Sequence, residues 1–126
     1  MKQGLLACAV WCGLLLMPPA VQGHHGYSAF DTKSEVTFEA TVTEFHFTNP
    51  HSVIEFEVKQ EGQVQKWQVE MGSRRQLTLH GWTATTIEAG SKLTISGYKA
   101  KNGSRAMWAT KILGADGKEI RITREN

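Results

Sequence analysis

The chain has 126 residues, with 14 Lys and Arg against 12 Asp and Glu and a formal net charge of +2 at pH 7. A charge so close to neutral gives no electrostatic basis for binding the phosphate backbone of a nucleic acid. The length suits one domain, and a 40% share of hydrophobic residues can supply its core.

The first residues have the pattern of an export signal. Residues 5–17 form an apolar run behind the single positive charge of Lys2, and Pro18-Pro19 interrupt it. The run is shorter than the ~20 apolar residues that span a bilayer and has the length of a signal-peptide hydrophobic region. We predict cleavage after Gly23; cleavage after Ala20 competes but would put a proline three residues before the cut.

This interpretation divides the chain into a cleaved signal peptide at 1–23, an N-terminal arm at 24–35 and a barrel domain at 36–126. The two cysteines, Cys8 and Cys12, lie in the signal. The mature domain therefore has no disulfide and no thiolate ligand. We expect a periplasmic or secreted protein with no membrane association after cleavage, because no second apolar segment follows.

The mature sequence reads as a series of strands. Residues 36–43 alternate apolar with polar side chains, which is typical of a strand with one buried face. Phe45 and Phe47 fall on the opposite parity, so either a bulge near Glu44 shifts the register or the strand curls. Four further strands follow near residues 54–58, 67–71, 93–97 and 106–113, with a short sixth near 120–122.

A short helix is predicted between the third and fourth strands. Ser73 has the side chain of a helix N-cap, residues 74–80 follow, and Gly81 suits a left-handed closing position. Three strands, a helix and then two or three strands is the element order of an OB-type barrel. We therefore predict a mainly β, OB-like barrel of five to six strands; a small β-sandwich is the alternative.

Several motifs together resemble a known family: His24-His25-Gly26, Phe30-Asp31, Thr48-Asn49-Pro50-His51, Trp67 with Glu70, Leu77, Gly81-Trp82, and Gly90 to Gly97. The sequence is similar to domain-of-unknown-function family 6152, a group of small exported bacterial proteins. The resemblance covers the mature chain. It implies export and one compact β domain, and it assigns no activity.

Cleavage after Gly23 would put His24 and His25 at a new N-terminus. A free N-terminal histidine can chelate a metal through its α-amine and Nδ1, and a histidine in second place can add an amide nitrogen. Such nitrogen sets favour Cu(II). His51, behind a proline of fixed geometry, is a candidate third ligand. A solvated, flexible terminus is the alternative.

Other residues have secondary roles in this hypothesis. Asp31 and Glu70 could bind the metal through a carboxylate oxygen, or could support a metal-bound histidine from the second coordination sphere. Trp67 and Trp82 could stack on a ligand of an OB-like face. His46, between two phenylalanines, is expected to pack.

The leading hypothesis is thus a periplasmic module that binds copper(II) or another divalent metal. The alternative is a metal-free interaction domain that binds a periplasmic partner protein, a glycan or a small ligand. We expect no enzyme, because the nucleophile elbow, the phosphate-binding loop and the dinucleotide fingerprint are all missing from the sequence. A mononuclear copper redox enzyme ranks last, since metal ligands alone identify no substrate.

Overall fold

A computed structural model of the protein describes residues 27–122 and contains a five-stranded sheet that closes into a barrel. A short 3-10 turn precedes the first strand, and one short α-helix interrupts the strands. The elements are the turn at Tyr27–Ala29, β1 at Phe30–His46, β2 at Val53–Gln60, β3 at Gln63–Glu70, α1 at Arg74–Thr78, β4 at Lys92–Ala100 and β5 at Ala106–Leu113.

The strand order confirms the predicted OB-like barrel. Around the barrel the order is β1-β2-β3-β5-β4, with β4 returning to β1. Neighbouring strands are antiparallel except β3 and β5, which run parallel. A parallel pair needs a crossover, and the segment that contains α1 and β4 provides it. The helix lies between the third and fourth strands in the chain, as predicted.

β1 is long enough to pair with two neighbours, because it bends at a bulge. Its first part pairs with β4 and its last part with β2. The register of the β1–β2 pair shifts between Val42 and Glu44, which confirms the predicted bulge. A one-residue shift exchanges the two faces of a strand. The bulge therefore turns Phe45 toward the core and Glu44 toward the outside.

The barrel interior is filled by the apolar alternate residues of all five strands. α1 closes one end with Leu77, which is completely buried. Ser73 caps this helix as predicted: its hydroxyl accepts the N–H of Gln76, and the Gln76 side chain accepts the N–H of Ser73. The core contains Phe38, Val42, Ile54, Phe56, Trp67, Val69, Met71, Leu77, Trp82, Ile95, Met107 and Ile112 among others.

Three boundaries differ from the sequence prediction. Residues 30–35, assigned to the arm, begin β1, and Glu35 pairs with Tyr98 of β4. The short sixth strand does not form: within residues 27–122 that segment makes one isolated bridge, between Leu113 and Glu119. α1 ends at Thr78, two residues earlier than predicted.

The predicted signal peptide, its cleavage site and the histidine pair, His24 and His25, lie outside the described residues. Over residues 27–122, no helix is long and apolar enough to cross a membrane.

Candidate metal centre

The loop that joins β1 to β2 is held to the barrel on two sides. Ser52 is completely buried. Its N–H donates to the carbonyl of Gly72 and its carbonyl accepts the N–H of Met71, both at 3.0 Å. These two bonds continue the β2–β3 ladder past the end of β3. They fix the backbone one residue after His51.

Hydrogen bonds inside the loop fix the other side of His51. The carbonyl of Thr48 accepts the N–H of Arg74 at 2.8 Å and the hydroxyl of Ser52 at 3.2 Å. The Thr48 hydroxyl donates to the carbonyl of His51 at 3.0 Å. Between them, the Asn49-Pro50 peptide bond is cis. The His51 backbone is therefore tied both to the start of α1 and to the end of β3.

The His51 side chain lies against a carboxylate and an indole. Its Nδ1 is 3.3 Å from Oε2 of Glu70, and the two side chains are 29% and 21% exposed. Its ring packs edge to face against Trp108, with a centroid distance of 5.2 Å. Nε2 makes no hydrogen bond with any residue in the described part of the chain. A histidine whose one nitrogen faces a carboxylate has the other nitrogen available for a ligand.

The sheet register explains why these groups meet. Val53 pairs with Glu70 across β2 and β3, and Glu70 pairs with Trp108 across β3 and β5. Trp108 pairs in turn with Tyr98 of β4. Because directly paired residues point to the same face, Glu70, Trp108 and Tyr98 form a row on the outside of the barrel. His51, two residues before Val53, lies at the end of that row.

The start of the described chain packs onto the same row. The Tyr27 ring meets Trp108 at 6.2 Å and Tyr98 at 5.8 Å, edge to face in both cases. Phe30 also packs against Trp108, with a ring-centroid distance of 5.9 Å. Trp108 thus contacts both Tyr27 and His51. We call Tyr27, His51, Glu70, Tyr98 and Trp108 the aromatic row.

The pKa of Tyr98 in the row is displaced. A hydrogen bond with Tyr27, and then the Coulombic effect of Tyr27, raise the pKa of Tyr98 above its ordinary value; burial and Glu35 add smaller contributions in the same direction. The neutral phenol is therefore favoured while Tyr27 lies beside it.

The other predicted site residues lie elsewhere. The Asp31 carboxylate accepts the N–H of Lys33, and within residues 27–122 it makes no hydrogen bond or ion pair with His51. Trp67 is 7% exposed and packs 4.8 Å from Phe38.

The second candidate stacking residue is also a core residue. Trp82 is 3% exposed, and its Nε1 donates to the carbonyl of Arg121 at 2.7 Å. Since neither Trp67 nor Trp82 offers a free ring face, the alternative of a ligand-stacking surface has no support from these two residues.

A second histidine–carboxylate group lies on the outer face of β1 and β2. His46 Nε2 is 3.0 Å from Oε1 of Glu55 and 3.7 Å from Oε2 of Glu44. We call these three residues the outer triad. Their ligand atoms all lie within 4.8 Å of one another. The expectation that His46 packs between Phe45 and Phe47 is wrong, because the bulge turns the two rings inward and His46 outward.

The fold and these groups define a small OB-like barrel with two histidine–carboxylate clusters on its surface. The chain belongs to the family described as "Family of unknown function (DUF6152)", whose model matches residues 14–109. This confirms the resemblance read from the motifs. The comparison with curated proteins found no match.

Proposed function

We propose that this protein is an exported metal-binding module, and that it binds Cu(II) through His24 and His25 at a processed N-terminus together with His51. The observation that carries the proposal is the environment of the His51 side chain and backbone. Its backbone is fixed, its Nδ1 faces Glu70 and its Nε2 has no partner among the described residues. This arrangement resembles that of a metal-ligating histidine with a carboxylate behind it.

The donor chemistry supports copper. After cleavage behind Gly23, His24 would provide an α-amine and an imidazole to the same ion, and His51 Nε2 would add a third nitrogen. His25 provides a further imidazole. Cu(II) prefers tetragonal nitrogen ligands and has the highest affinity of the divalent first-row ions for such a set.

Chain length is compatible with a joint site. Tyr27 packs on Trp108, and Trp108 packs on His51. His25 is two residues before Tyr27, and two extended residues span about 7 Å. The aromatic row therefore supports the proposal by holding the chain close to His51 shortly after the histidine pair.

Glu70 would act on the metal through His51. A carboxylate at Nδ1 holds the ring orientation, selects the tautomer with a free Nε2 lone pair and makes the imidazole more basic. Loss of such a partner typically costs 10–100-fold in metal affinity. Glu70 is then a positioning residue rather than a ligand.

The experiment is a copper titration of processed protein. The full chain is produced in a bacterium, purified from the periplasm, and its first residue is determined by mass spectrometry. Cu(II) is added in a calorimeter, and electron paramagnetic resonance counts the nitrogen ligands. The matched control begins with one extra residue before His24, which removes the α-amine of His24 from the ligand set while it keeps every side chain.

We expect one tightly bound copper ion per chain in the processed protein, with an affinity at least tenfold lower in the extended control and in His51→Ala. The His24→Ala/His25→Ala variant should lose tight binding altogether. Equal affinity in the processed and extended proteins would refute the N-terminal ligand. A processed chain that begins elsewhere than at His24 would refute the proposed site as a whole.

A further inference from the structure

We propose that the outer triad of Glu44, His46 and Glu55 is a second divalent-metal site, separate from the copper site and suited to Zn²⁺. One imidazole nitrogen and one oxygen from each carboxylate come within 4.8 Å of one another. A single ion could contact all three atoms after small side-chain rotations, since Zn–N and Zn–O distances are about 2.0–2.2 Å. Solvent would complete a tetrahedral set.

The β1 bulge assembles the three side chains on one face. Upstream of the bulge, Ala40 and Val42 point into the core. Without the register shift, Glu44 and His46 would continue on that inner face. With the shift, both point outward and stand beside Glu55 of β2. Bulges often re-aim side chains in this way at functional positions.

The charge balance of the outer triad also favours a cation. Glu44 and Glu55 are direct register partners, and like charges placed directly opposite each other destabilise a sheet. A protonated His46 could compensate only one of the two negative charges. Two carboxylates and a neutral imidazole around a divalent ion would be electrically balanced.

Nearby basic side chains do not neutralise the two carboxylates of the outer triad. Lys66 and Arg105 line the same groove as Glu44 and Glu55. Within residues 27–122, however, His46 is the only basic group within 4.0 Å of either carboxylate. The groove is open to solvent on this side, so an ion could enter without rearrangement of the barrel.

The donor types of the two proposed sites differ. The nitrogen-rich N-terminal set favours Cu(II), whereas one imidazole with two carboxylates is a mixed nitrogen and oxygen set that Zn²⁺ accepts. The outer-triad proposal uses only described residues and does not depend on cleavage after Gly23. Its test can therefore succeed or fail independently of the copper experiment.

The test is a Zn²⁺ titration in a His24→Ala/His25→Ala/His51→Ala background, which removes every proposed side-chain ligand of the copper site. Calorimetry measures zinc affinity, and nuclear magnetic resonance follows the His46 imidazole. The variants are Glu55→Gln and His46→Ala. The matched control is Glu57→Gln, because Glu57 lies two residues along the same outer face of β2. Circular dichroism establishes that each variant is folded.

We expect the background protein to bind one Zn²⁺, with a shift of the His46 resonance and a rise in Tm because zinc binds only the folded triad. Glu55→Gln and His46→Ala should each lower zinc affinity at least tenfold, and Glu57→Gln should leave it unchanged. Absence of zinc binding in the background would overturn the proposal. So would zinc binding that Glu55→Gln and Glu57→Gln weaken equally, since that result indicates general attraction to an acidic surface.

Discussion

The aromatic row and the outer triad both pair a histidine with glutamate, but the barrel holds them differently. His51 lies in a loop tied to β3 and α1, and the side chains of His51 and Glu70 are 29% and 21% exposed. In the outer triad, His46, Glu55 and Glu44 are 38%, 47% and 62% exposed. Exposed ion pairs contribute little to stability. His51 is therefore positioned by the fold. The position of His46 depends instead on which cation neutralises Glu44 and Glu55.

This difference has consequences for function. A preorganised ligand loses less conformational entropy when it binds a metal, because its orientation is already fixed. Exposed carboxylates that the fold does not hold must be ordered by the ion itself. Changes in the aromatic row should thus affect both stability and metal affinity. Changes in the outer triad should affect metal affinity with little effect on the stability of the metal-free protein.

The largest expected effect is that of Trp108→Ala. The Trp108 ring is partly buried and contacts Tyr27, Phe30 and His51. Full burial would make the loss 3–5 kcal/mol, so we expect about 2 kcal/mol less free energy of unfolding in urea denaturation. His46→Ala, the matching truncation in the outer triad, should cost below about 0.5 kcal/mol. If His46→Ala lowers the free energy of unfolding more than Trp108→Ala does, the outer triad rather than the aromatic row is the part held by the fold.

Ser52→Ala tests the loop that carries His51. The buried hydroxyl donates to the carbonyl of Thr48 and accepts its N–H at 3.3 Å. Its removal leaves that N–H without its partner, so the free energy of unfolding should fall by about 1–2 kcal/mol. Ser34→Ala is the control, because Ser34 is exposed on β1 and should change stability by less than about 0.5 kcal/mol. Equal effects would mean that Ser52 does not hold the loop.

Two substitutions that each remove one negative charge should change the free energy of unfolding in opposite directions. Glu70→Gln weakens the contact with His51 and should lower stability by about 0.5–1 kcal/mol. Glu44→Gln removes a like-charge contact with Glu55 and, after screening by solvent at this exposed position, should raise metal-free stability by at most about 0.5 kcal/mol. Thermal unfolding in chelator-treated buffer measures both. High salt should abolish the stability gained in Glu44→Gln. If Glu44→Gln lowers stability instead, Glu44 and Glu55 do not repel each other in the metal-free protein.

Local patterns were enough to predict most of the barrel. β2 and β4 alternate because one face of each lies in the core, and Ser73 marks the start of α1 as its N-cap. The arm was misassigned because residues 31–35 carry no apolar alternation, although Glu35 pairs with β4. The sixth strand was overpredicted because Ile122 is buried by packing rather than by pairing.

The proximity of His51 to Glu70 can be predicted from the sequence by counting residues back from a turn. A two-residue turn at Glu61-Gly62 pairs Gln60 with Gln63 and therefore Val53 with Glu70. The position of Trp108 beside Glu70 cannot be predicted by counting residues, because β3 and β5 pair in parallel and are joined by a long crossover. The outer triad required the exact position of the bulge, which the parity change near Glu44 located only approximately.

The smallest expected effect is a change in the pKa of Tyr98, and it tests whether Tyr27 packs on the aromatic row. The chain has two tyrosines, so Tyr27→Phe leaves Tyr98 as the only phenol that an absorbance titration can follow. Phe keeps the ring but loses the hydroxyl that raises the pKa of Tyr98. The pKa should fall toward the ordinary tyrosine value of about 10. Glu35→Gln removes the smallest of the contributions and should lower the pKa less.

The sign of the stability change follows from the direction of the shift. Because folding raises the pKa of Tyr98, its contribution is complete below the unfolded pKa and is lost as the pH rises through the folded pKa. Tyr27→Phe should weaken that loss at alkaline pH and leave the pH dependence near neutrality unchanged. An unchanged Tyr98 titration would mean that Tyr27 does not lie on the row in solution. The histidine pair would then have no anchor beside His51, while the zinc experiment on the outer triad would be unaffected.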